Sequence, residues 1–481
     1  MNHIKHLKAQ QSLLDGDKEL KQIDVTSGIT AFNMVQNYQT ISRWLDNELQ
    51  DIHKFETFVF FFLQRLVLIN LSVEQTDVPM VFEVINDRGV KLKPYEILKG
   101  KLLGQIDKIE LDKDDYNGLW EKQVNSINEF GEDQIDVFFT YYLKAKYANN
   151  RKEGVRFDNE YHREIFKEDL DKILKLKHNS AQVKQFLKND FTYFTNLYLK
   201  ILNYYDDLDT AQPYVYYNNL NDMDGQFMMI LSGCKLNDPE EEIKINIISK
   251  EIDRLFSLLQ LQNVYDSNAF QETLYKISSE IRNGDSASIR SVFDKYLVEE
   301  ISKRRLVEVK APFQYTFFKN IGINLNTRFK RYFFARVEDL LATNTNSNMK
   351  HFIGDLVART GSVNGFHIEH ILSYNDENIA LFKDDEELFE QERNRLGGIL
   401  LLKGKDNISS GNESFKKKLK SYANTLYWNE TLREDSYKSK LDLKAFIDKH
   451  KLELELYNQF GPEELEKRQQ VLFRMAEIIW N

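Results

Sequence analysis

The chain is poor in residues that cross-link or interrupt a polypeptide: among 481 residues there are one cysteine, 6 prolines and 20 glycines. The single cysteine, Cys234, has no intrachain disulfide partner, which suits a reducing cytoplasm. With so little proline and glycine, the 33 Phe and 24 Tyr favour helices that pack through large side chains over an all-β fold. We therefore expect a mainly α protein with small β elements, of the α+β type.

Long uninterrupted apolar segments are also scarce. The most apolar run, residues 55–71, is interrupted by Gln64 and Arg65 and is too short to span a membrane. Residues 1–6 lack the apolar core of a signal peptide. We therefore expect a soluble, cytoplasmic protein without a membrane partner.

The balance of charge is acidic, with 75 Asp and Glu against 65 Lys and Arg and a net charge of −10. Binding to nucleic acid therefore requires a local basic patch. Residues 392–420 form one, and we predict that it contacts a phosphate backbone. Its basic residues are Arg393, Arg395, Lys403, Lys405, Lys416, Lys417, Lys418 and Lys420. For any single one of these residues, an ordinary solvated helix face is the alternative.

Length and patterning predict three domains, because one ordinary core does not hold 481 residues. We place their boundaries at residues 1–108, 109–310 and 311–481. Apolar periodicity predicts helices at residues 41–63, 95–105, 135–147, 181–205, 243–261, 329–342, 349–358 and 413–427. A further helix is expected at residues 468–480. Short apolar runs predict strands at residues 65–73 and 396–402.

The segment His367-Ile368-Glu369-His370 places a histidine beside a carboxylate. One such residue can deprotonate water while the other holds a cation that neutralises a phosphate, which suits phosphodiester hydrolysis. Adjacent strand residues point to opposite faces, so Glu369 and His370 share a site only if the strand ends or bends there. The alternative is that His367 and His370 are ordinary histidines in a polar turn, without a catalytic role.

The C-terminal third resembles the His-Me finger (HNH) nuclease domain that ends GmrSD-type modification-dependent restriction enzymes. The residues that follow the order of its motifs are Ile368-Glu369-His370-Ile371, Leu396 to Leu402, Asn407, Gly411-Asn412, Phe415, Lys418 and Tyr422. The resemblance implies a ββα-metal centre in which His370 is the general base. It also implies that Glu369 and Asn407 hold one Mg²⁺ or Mn²⁺, since such ions prefer oxygen ligands. His367 is expected to add a ligand or touch the phosphate.

Two positions depart from this family's pattern. Ser373 stands where the family has proline, and Gly398 stands where it has the asparagine that supports the segment carrying the base. Asn394 is the candidate replacement for that asparagine.

Residues 82–92 are similar to the closing signature of the ParB-like sensor and nucleotide-binding domain of the same family. Asn86 and Arg88 would present an amide and a guanidinium to a phosphate or ribose. The domain's first motif has no counterpart in residues 1–50, so we expect only a partial sensor domain, completed by a separate subunit. A helix cap at Arg88-Gly89 is the structural alternative.

The resemblance thus implies a metal-dependent DNA endonuclease subunit of a restriction or anti-phage defence system, whose DNA target is modified or phage DNA. A catalytically impaired DNA-binding or regulatory subunit is the alternative. An RNA-cleaving toxin with the same centre is a third possibility.

Overall fold

The computed structural model describes residues 3–16, 23, 25, 29–67, 92–405, 413–438 and 441–481. The chain divides into two compact units, Met1–Leu119 and Trp120–Asn481. Helices make up 68% of the chain, and the sheet found among the described residues has two strands. The expectation of a mainly α protein is therefore confirmed.

The first unit is helical throughout its described part. Its helices are α1 (His3–Asp15), α2 (Ile29–Glu48), α3 (Ile52–Arg65), α4 (Pro94–Leu103) and α5 (Lys108–Lys113). The region predicted as one helix at residues 41–63 contains two helices. Asp51 is the N-cap of the second, α3, and its side chain accepts hydrogen bonds from the N–H groups of His53 and Lys54. The helix predicted at 95–105 is α4, with Pro94 in its first turn.

Two predictions for the first unit lie mainly or wholly outside the described residues. They are the strand at residues 65–73 and the segment that carries Asn86 and Arg88. Both stay predictions.

The second unit begins with a long helical region. Its helices are α6 (Tyr116–Asn128, which crosses the division between the units), α7 (Gln134–Tyr147), α8 (Arg151–Val155), α9 (Phe157–Glu164), α10 (Glu168–Leu174), α11 (Ser180–Phe186), α12 (Thr192–Asp206), α13 (Pro213–Asn219), α14 (Gly225–Gly233), α15 (Glu241–Leu261), α16 (Ser267–Ile281) and α17 (Ser286–Arg305). A π-helical turn, Leu187–Phe191, joins α11 to α12. Helices predicted at residues 135–147, 181–205 and 243–261 are confirmed.

Stacked aromatic rings fill the core of this helical region, as the composition suggested. The ring of Trp120 stacks on that of Phe191 with centroids 4.8 Å apart, and Phe139 stacks on Phe191 at 5.7 Å. All three side chains are fully buried. Rings of this size remove much apolar surface from water, so they contribute strongly to the stability of the helices that carry them.

The C-terminal region combines helices with the two-stranded sheet. In chain order it contains α18 (Tyr315–Phe318), α19 (Thr327–Asn344), α20 (Ile353–Ala358), β1 (Phe366–His370), α21 (Asp376–Ala380), α22 (Glu386–Arg393), β2 (Ile399–Lys403), α23 (Phe415–Ser421), α24 (Tyr427–Glu430), α25 (Asp435–Lys438), α26 (Leu441–His450) and α27 (Pro462–Trp480). The predicted helices at 329–342 and 468–480 are α19 and α27. Those at 349–358 and 413–427 are shorter than predicted.

A buried polar cluster fastens the long helices of the second unit to one another. The carboxylate of Asp253 in α15 accepts hydrogen bonds from Arg336 at 2.6 Å and from the Trp480 indole N–H at 3.0 Å. Arg336 lies in α19 and Trp480 closes α27, so one carboxylate links three helices. Leaving any of these buried groups unpaired costs more than the bond itself contributes, which favours this one arrangement.

Strands β1 and β2 pair antiparallel, from Phe366 opposite Lys403 to His370 opposite Ile399. The predicted strand at 396–402 starts three residues late because Leu396–Gly398 form a 3₁₀ turn. The apolar residues of β2 are all buried. Since helices cover it closely, β2 is an apolar run rather than an alternating one.

None of the helices in the described ranges is long and apolar enough to cross a membrane.

Candidate functional site

His370 is the last residue of β1, and its imidazole is half-buried. Its Nε2 lies 3.0 Å from Oδ1 of Asn394, which follows α22. The Asn394 amide is fixed in this orientation because its Nδ2 donates to the Glu390 carbonyl at 2.7 Å and to the Glu390 carboxylate at 3.1 Å. Only a protonated Nε2 can donate to Oδ1, so the neutral ring carries its lone pair on Nδ1.

The surroundings of His370 favour the neutral ring. Burial lowers the pKa of His370 below its ordinary value, and it is the largest effect. The positive charges of Arg393 and Lys330 lower that pKa further, while the Asn394 hydrogen bond acts in the opposite direction. A neutral imidazole with one free nitrogen is a competent proton acceptor near neutral pH.

Glu369, the preceding residue, is nearly buried and holds an ion pair. Its Oε1 lies 2.5 Å from Nζ of Lys418 in α23, and the same ammonium donates to the His370 carbonyl at 2.8 Å. Lys418 is itself buried. A carboxylate with so little solvent requires a positive partner, and Lys418 supplies that charge here.

Strand β1 ends at His370, and the chain bends at the next two residues. Pairing stays in register to the end of β1, and the Ile371 N–H continues it by donating to the Gly398 carbonyl at 3.0 Å. The two side chains therefore have separate partners, Lys418 for the carboxylate and Asn394 for the imidazole.

Asn407, the predicted second metal ligand, lies outside the described residues. Within the described ranges, no three His, Cys, Asp or Glu side chains cluster as metal ligands. Glu369 has the right ligand chemistry for a hard cation, and the positive charge of Lys418 occupies the position beside it. A divalent ion and Lys418 would therefore compete for the same carboxylate.

His367 lies two residues before Glu369 on β1. Its Nε2 is 3.2 Å from the carbonyl oxygen of Gly361, in the loop that precedes the strand. Among the described residues, His367 thus contacts a backbone carbonyl, whereas His370 contacts the side chain of Asn394. The arrangement ties the loop to the strand.

The predicted basic patch separates into buried and exposed members. Arg395 is buried, with ion pairs to Glu392 and Glu466. Lys418 is committed to Glu369. Arg393 and Lys403 are half-buried, whereas the exposed members are Lys405, Lys416, Lys417 and Lys420. Only the exposed and half-buried basic side chains are accessible to a phosphate backbone.

Lys330, in α19, was not singled out from the sequence. Burial lowers the pKa of its ammonium, and its charge acts on the His370 imidazole. Within the described residues it has no ion pair. The neighbouring Arg331 is likewise partly buried, and its Nε has no hydrogen-bond partner in the part of the chain that the structure describes. The adjacent basic pair in Phe329-Lys330-Arg331-Tyr332 was the available signal, and it resembled the solvated face of an amphipathic helix.

The geometry explains both departures from the family's pattern. A Cβ added at Gly398 would lie 2.5 Å from the carbonyl oxygen of Arg393, so any other residue requires the backbone to shift. Asn394, four residues earlier, occupies the position beside the His370 ring. Ser373 is buried and donates its hydroxyl to the Glu413 carbonyl at 3.0 Å, which links the end of β1 to the start of α23.

Gly322 packs closely against the backbone of Asn394. A Cβ at Gly322 would lie 2.1 Å from the Asn394 carbonyl oxygen, and the Leu396 N–H donates to the Ile321 carbonyl at 3.0 Å. The loop between α18 and α19 therefore packs directly on the backbone that presents Asn394 to the imidazole.

Residues 314–475 match the family model of the GmrSD restriction endonucleases, C-terminal domain. No curated protein matches the chain. The matched segment contains β1, β2, α19 and α23, and thus every group described above. Over these residues the chain is therefore similar to the C-terminal domain of the GmrSD restriction endonucleases. The match covers about a third of the sequence and leaves the N-terminal resemblance to a ParB-like sensor a prediction.

Proposed function

We propose that this chain is a metal-dependent DNA endonuclease subunit of a restriction or anti-phage defence system. The observation that carries the proposal is His370, a half-buried imidazole oriented by Asn394 inside a domain of a restriction endonuclease family. A ring held in one tautomer with a free nitrogen is the arrangement expected of a general base.

In the proposed reaction Nδ1 of His370 takes a proton from water. The water oxygen forms a bond to phosphorus, the bond from phosphorus to the sugar oxygen breaks, and that oxygen leaves with the electron pair. Asn394 accepts a hydrogen bond from the Nε2 proton and stabilises the imidazolium that results. Because burial lowers the pKa of His370, the ring is neutral and ready to accept a proton near pH 7.

Mg²⁺ or Mn²⁺ is the proposed cofactor, with Glu369 and Asn407 as its protein ligands. When bound, such an ion neutralises the charge that develops on the phosphate and leaving oxygen. The resemblance supports the choice of these residues, since Glu369 and Asn407 supply the oxygen ligands that such an ion prefers. For the ion to take the carboxylate, the ammonium of Lys418 must move away or share it.

DNA backbone contacts are proposed for the exposed lysines Lys405, Lys416 and Lys417 and for the half-buried Arg393 and Lys403. Lys330 has a different proposed role, because its charge acts on His370 without an ion-pair partner in the described residues. It is suited to bind the phosphate under attack. Contacts of this kind weaken steeply with salt and give little sequence preference.

A separate sensor subunit stays the proposed partner. The sequence of residues 82–92 supports it, since this resembles only the closing part of a sensor domain. Helix α3 is consistent with a partner too, because Phe60, Phe61 and Phe62 are exposed. Nucleotide binding by Asn86 and Arg88 belongs to the same proposal. Failure of the chain to associate with any sensor-type protein encoded beside it would contradict the partner proposal.

The test is DNA cleavage by the full chain with Mg²⁺ or Mn²⁺, on plasmid and on phage DNA, alone and with the candidate sensor. Cleavage is expected to vanish in EDTA and to fall at least about 100-fold in His370→Ala. The control is His53→Ala, which removes an exposed imidazole from α3. Equal cleavage by the two variants would overturn the role of His370.

A catalytically impaired DNA-binding or regulatory subunit is the second candidate. The Lys418 ammonium on the Glu369 carboxylate favours it, since that pair competes with a metal ion. DNA binding without cutting under every metal and partner tried would support this candidate. An RNA substrate in the same assay tests the third possibility, a ribonuclease.

A further inference from the structure

A cavity of about 280 Å³ opens in the helical region, outside the segment that matches the restriction endonuclease family. Four parts of the chain line it: the link after α6, helix α7, helix α12 and the start of α14. The lining residues are Phe130, Gln134, Val137, Tyr141, Tyr198, Leu202, Tyr205, Asp206, Asp224 and Phe227. The volume suits a small ligand rather than a nucleotide or peptide.

Helical spacing explains why these side chains meet. Gln134, Val137 and Tyr141 are separated by three and four residues, so they share one face of α7. Tyr198, Leu202 and Tyr205 are separated by four and three residues and share one face of α12. The two faces and Phe227 enclose the cavity.

Aromatic rings form the wall of the cavity around Phe227, which is buried. The ring of Phe227 lies 5.6 Å from that of Tyr141, 5.2 Å from that of Tyr198 and 5.1 Å from that of Tyr205, measured between centroids. The faces of aromatic rings carry negative π-electron density, which attracts cations.

The polar groups of the cavity are three tyrosine hydroxyls, one amide and two carboxylates. The Tyr205 hydroxyl donates to Asp224 Oδ1 at 2.6 Å, and the Gln134 amide donates to the Tyr198 hydroxyl at 2.7 Å. Those two donors are thereby used within the wall. Asp206 and Asp224 bring negative charge, and both are exposed at the mouth.

None of the lining side chains, all of which belong to the described ranges, is basic. An anionic ligand such as a phosphate would therefore meet two carboxylates without a compensating cation. Burial and the neighbouring Asp207 raise the pKa of Asp206, which agrees with a carboxylate that lacks a positive neighbour.

We propose that this cavity binds a small alkylammonium cation, with the charged head against the aromatic rings and the two carboxylates. The chemistry is that of an aromatic cage: the rings attract a cation through their electron density, and the rim carboxylates add direct attraction. The proposal does not depend on nuclease activity.

Isothermal titration calorimetry of the full chain with choline tests the proposal, in a buffer free of other organic amines. The uncharged carbon isostere of choline has the same shape without the charge and is titrated in parallel. We expect choline to bind at least about tenfold more tightly than the isostere, because the rings and carboxylates act on charge. Equal affinities, or no binding of choline at millimolar concentration, would overturn the proposal.

Asp206→Asn and Asp207→Asn form a matched pair. The two residues are adjacent and exposed, but only Asp206 lines the cavity. Asp206→Asn is expected to weaken choline binding about two- to fivefold, and Asp207→Asn is expected to have no effect. Similar losses in both would mean that choline responds only to the general negative charge of this surface.

Tyr141→Leu and Tyr141→Phe separate the aromatic contribution from packing. Both remove the hydroxyl, but only leucine removes the ring. We expect about a fivefold loss of affinity for leucine and little change for phenylalanine. Thermal unfolding of each variant checks that the fold is intact, and equal affinities in the two folded variants would rule out the aromatic cage.

Discussion

Two buried lysine–carboxylate pairs lie in different regions of the second unit. In the helical region Lys244 contacts Asp238 at 2.6 Å, and neither side chain is exposed. In the C-terminal domain Lys418 contacts Glu369 at 2.5 Å, with 2% and 10% of the side chains exposed. The distances are alike, but the surroundings differ.

The Lys244 pair belongs to a closed network. Asp238 accepts the N–H groups of Lys235 and Glu240, and Lys244 also donates to the Gly233 carbonyl. Such a network fixes the turn between α14 and α15. The Lys418 pair instead lies beside His370, and the half-buried Lys330, which has no carboxylate partner among the described residues, also acts on that imidazole. A buried ion pair therefore indicates a structural role in one region and a candidate site in the other.

The largest effect is expected from breaking the pairs. Lys244→Met leaves the Asp238 carboxylate buried without its partner, so the free energy of unfolding should fall by about 3–5 kcal/mol. Lys418→Met should cost less in millimolar Mn²⁺ than in EDTA, because the proposed metal ion replaces the missing positive charge. Urea unfolding under both conditions measures these effects. A similar response to Mn²⁺ in the two variants would erase the proposed difference between the pairs.

Glu338 in α19 is a buried carboxylate without a lysine partner among the described residues. It accepts hydrogen bonds from the backbone N–H groups of Tyr427 at 2.8 Å and Trp428 at 3.2 Å. Burial raises the pKa of Glu338 to about 7. The folded state therefore binds the proton more tightly than the unfolded state does. Protonated Glu338 therefore adds up to about 3 kcal/mol to the free energy of unfolding below pH 4.5, the pKa in the unfolded state. This contribution is lost as the pH rises through about 7 and the carboxyl ionises.

Glu338→Gln should remove this part of the pH dependence, since glutamine does not titrate. The measurement is the free energy of unfolding of both proteins at several pH values between about 4.5 and 8. If the difference between the two proteins stays constant over that range, Glu338 does not titrate as described.

Asn394→Leu tests the orientation of the imidazole. The substitution removes the acceptor for Nε2 and frees the ring to rotate or change tautomer, so the cleavage rate should fall about 10- to 100-fold. Asn394→Asp keeps an acceptor at the same position and should retain more activity. Single-turnover cleavage at saturating DNA measures both rates. Equal losses in the two variants would assign Asn394 a packing role only.

The smallest effect is expected on the surface. Lys416→Gln with Lys417→Gln removes two exposed charges from α23, and DNA binding should weaken severalfold. The slope of log affinity against log salt should shrink by about 0.9 for each phosphate that the protein no longer neutralises. Lys295→Gln with Lys303→Gln makes the same charge change on α17 and serves as the control. An equal weakening in both double variants would indicate a general charge effect.

Much of the helical fold follows from local patterns. The periodicity of residues 135–147 and 243–261 places α7 and α15 within one or two residues of their observed ends. The pattern fails where distant neighbours decide the structure. The strand predicted at 396–402 begins with a 3₁₀ turn instead, in which Gly397 packs against α27 and donates its N–H to Gln469 Oε1 at 2.7 Å. The spacing of apolar residues does not show which distant segments pack together in this way.

The basic patch shows the same limit. In the sequence Arg395 and Lys416 are equivalent cations, yet in the fold Arg395 is buried against Glu466 of α27 and Lys416 is exposed. Lys330 was missed because its significance lies in its closeness to His370, forty residues later in the chain.

By itself, the sequence determined the helical class, the similarity of residues 314–475 to the GmrSD C-terminal domain and the Glu369-His370 motif, because composition, periodicity and motif order are properties of the chain. Only the tertiary structure decided that Lys418 neutralises Glu369 and that Asn394 orients His370. Both contacts join residues more than twenty positions apart, and both depend on burial. Burial is what turns these charges into strong partners, and it arises only when the strands and helices pack together.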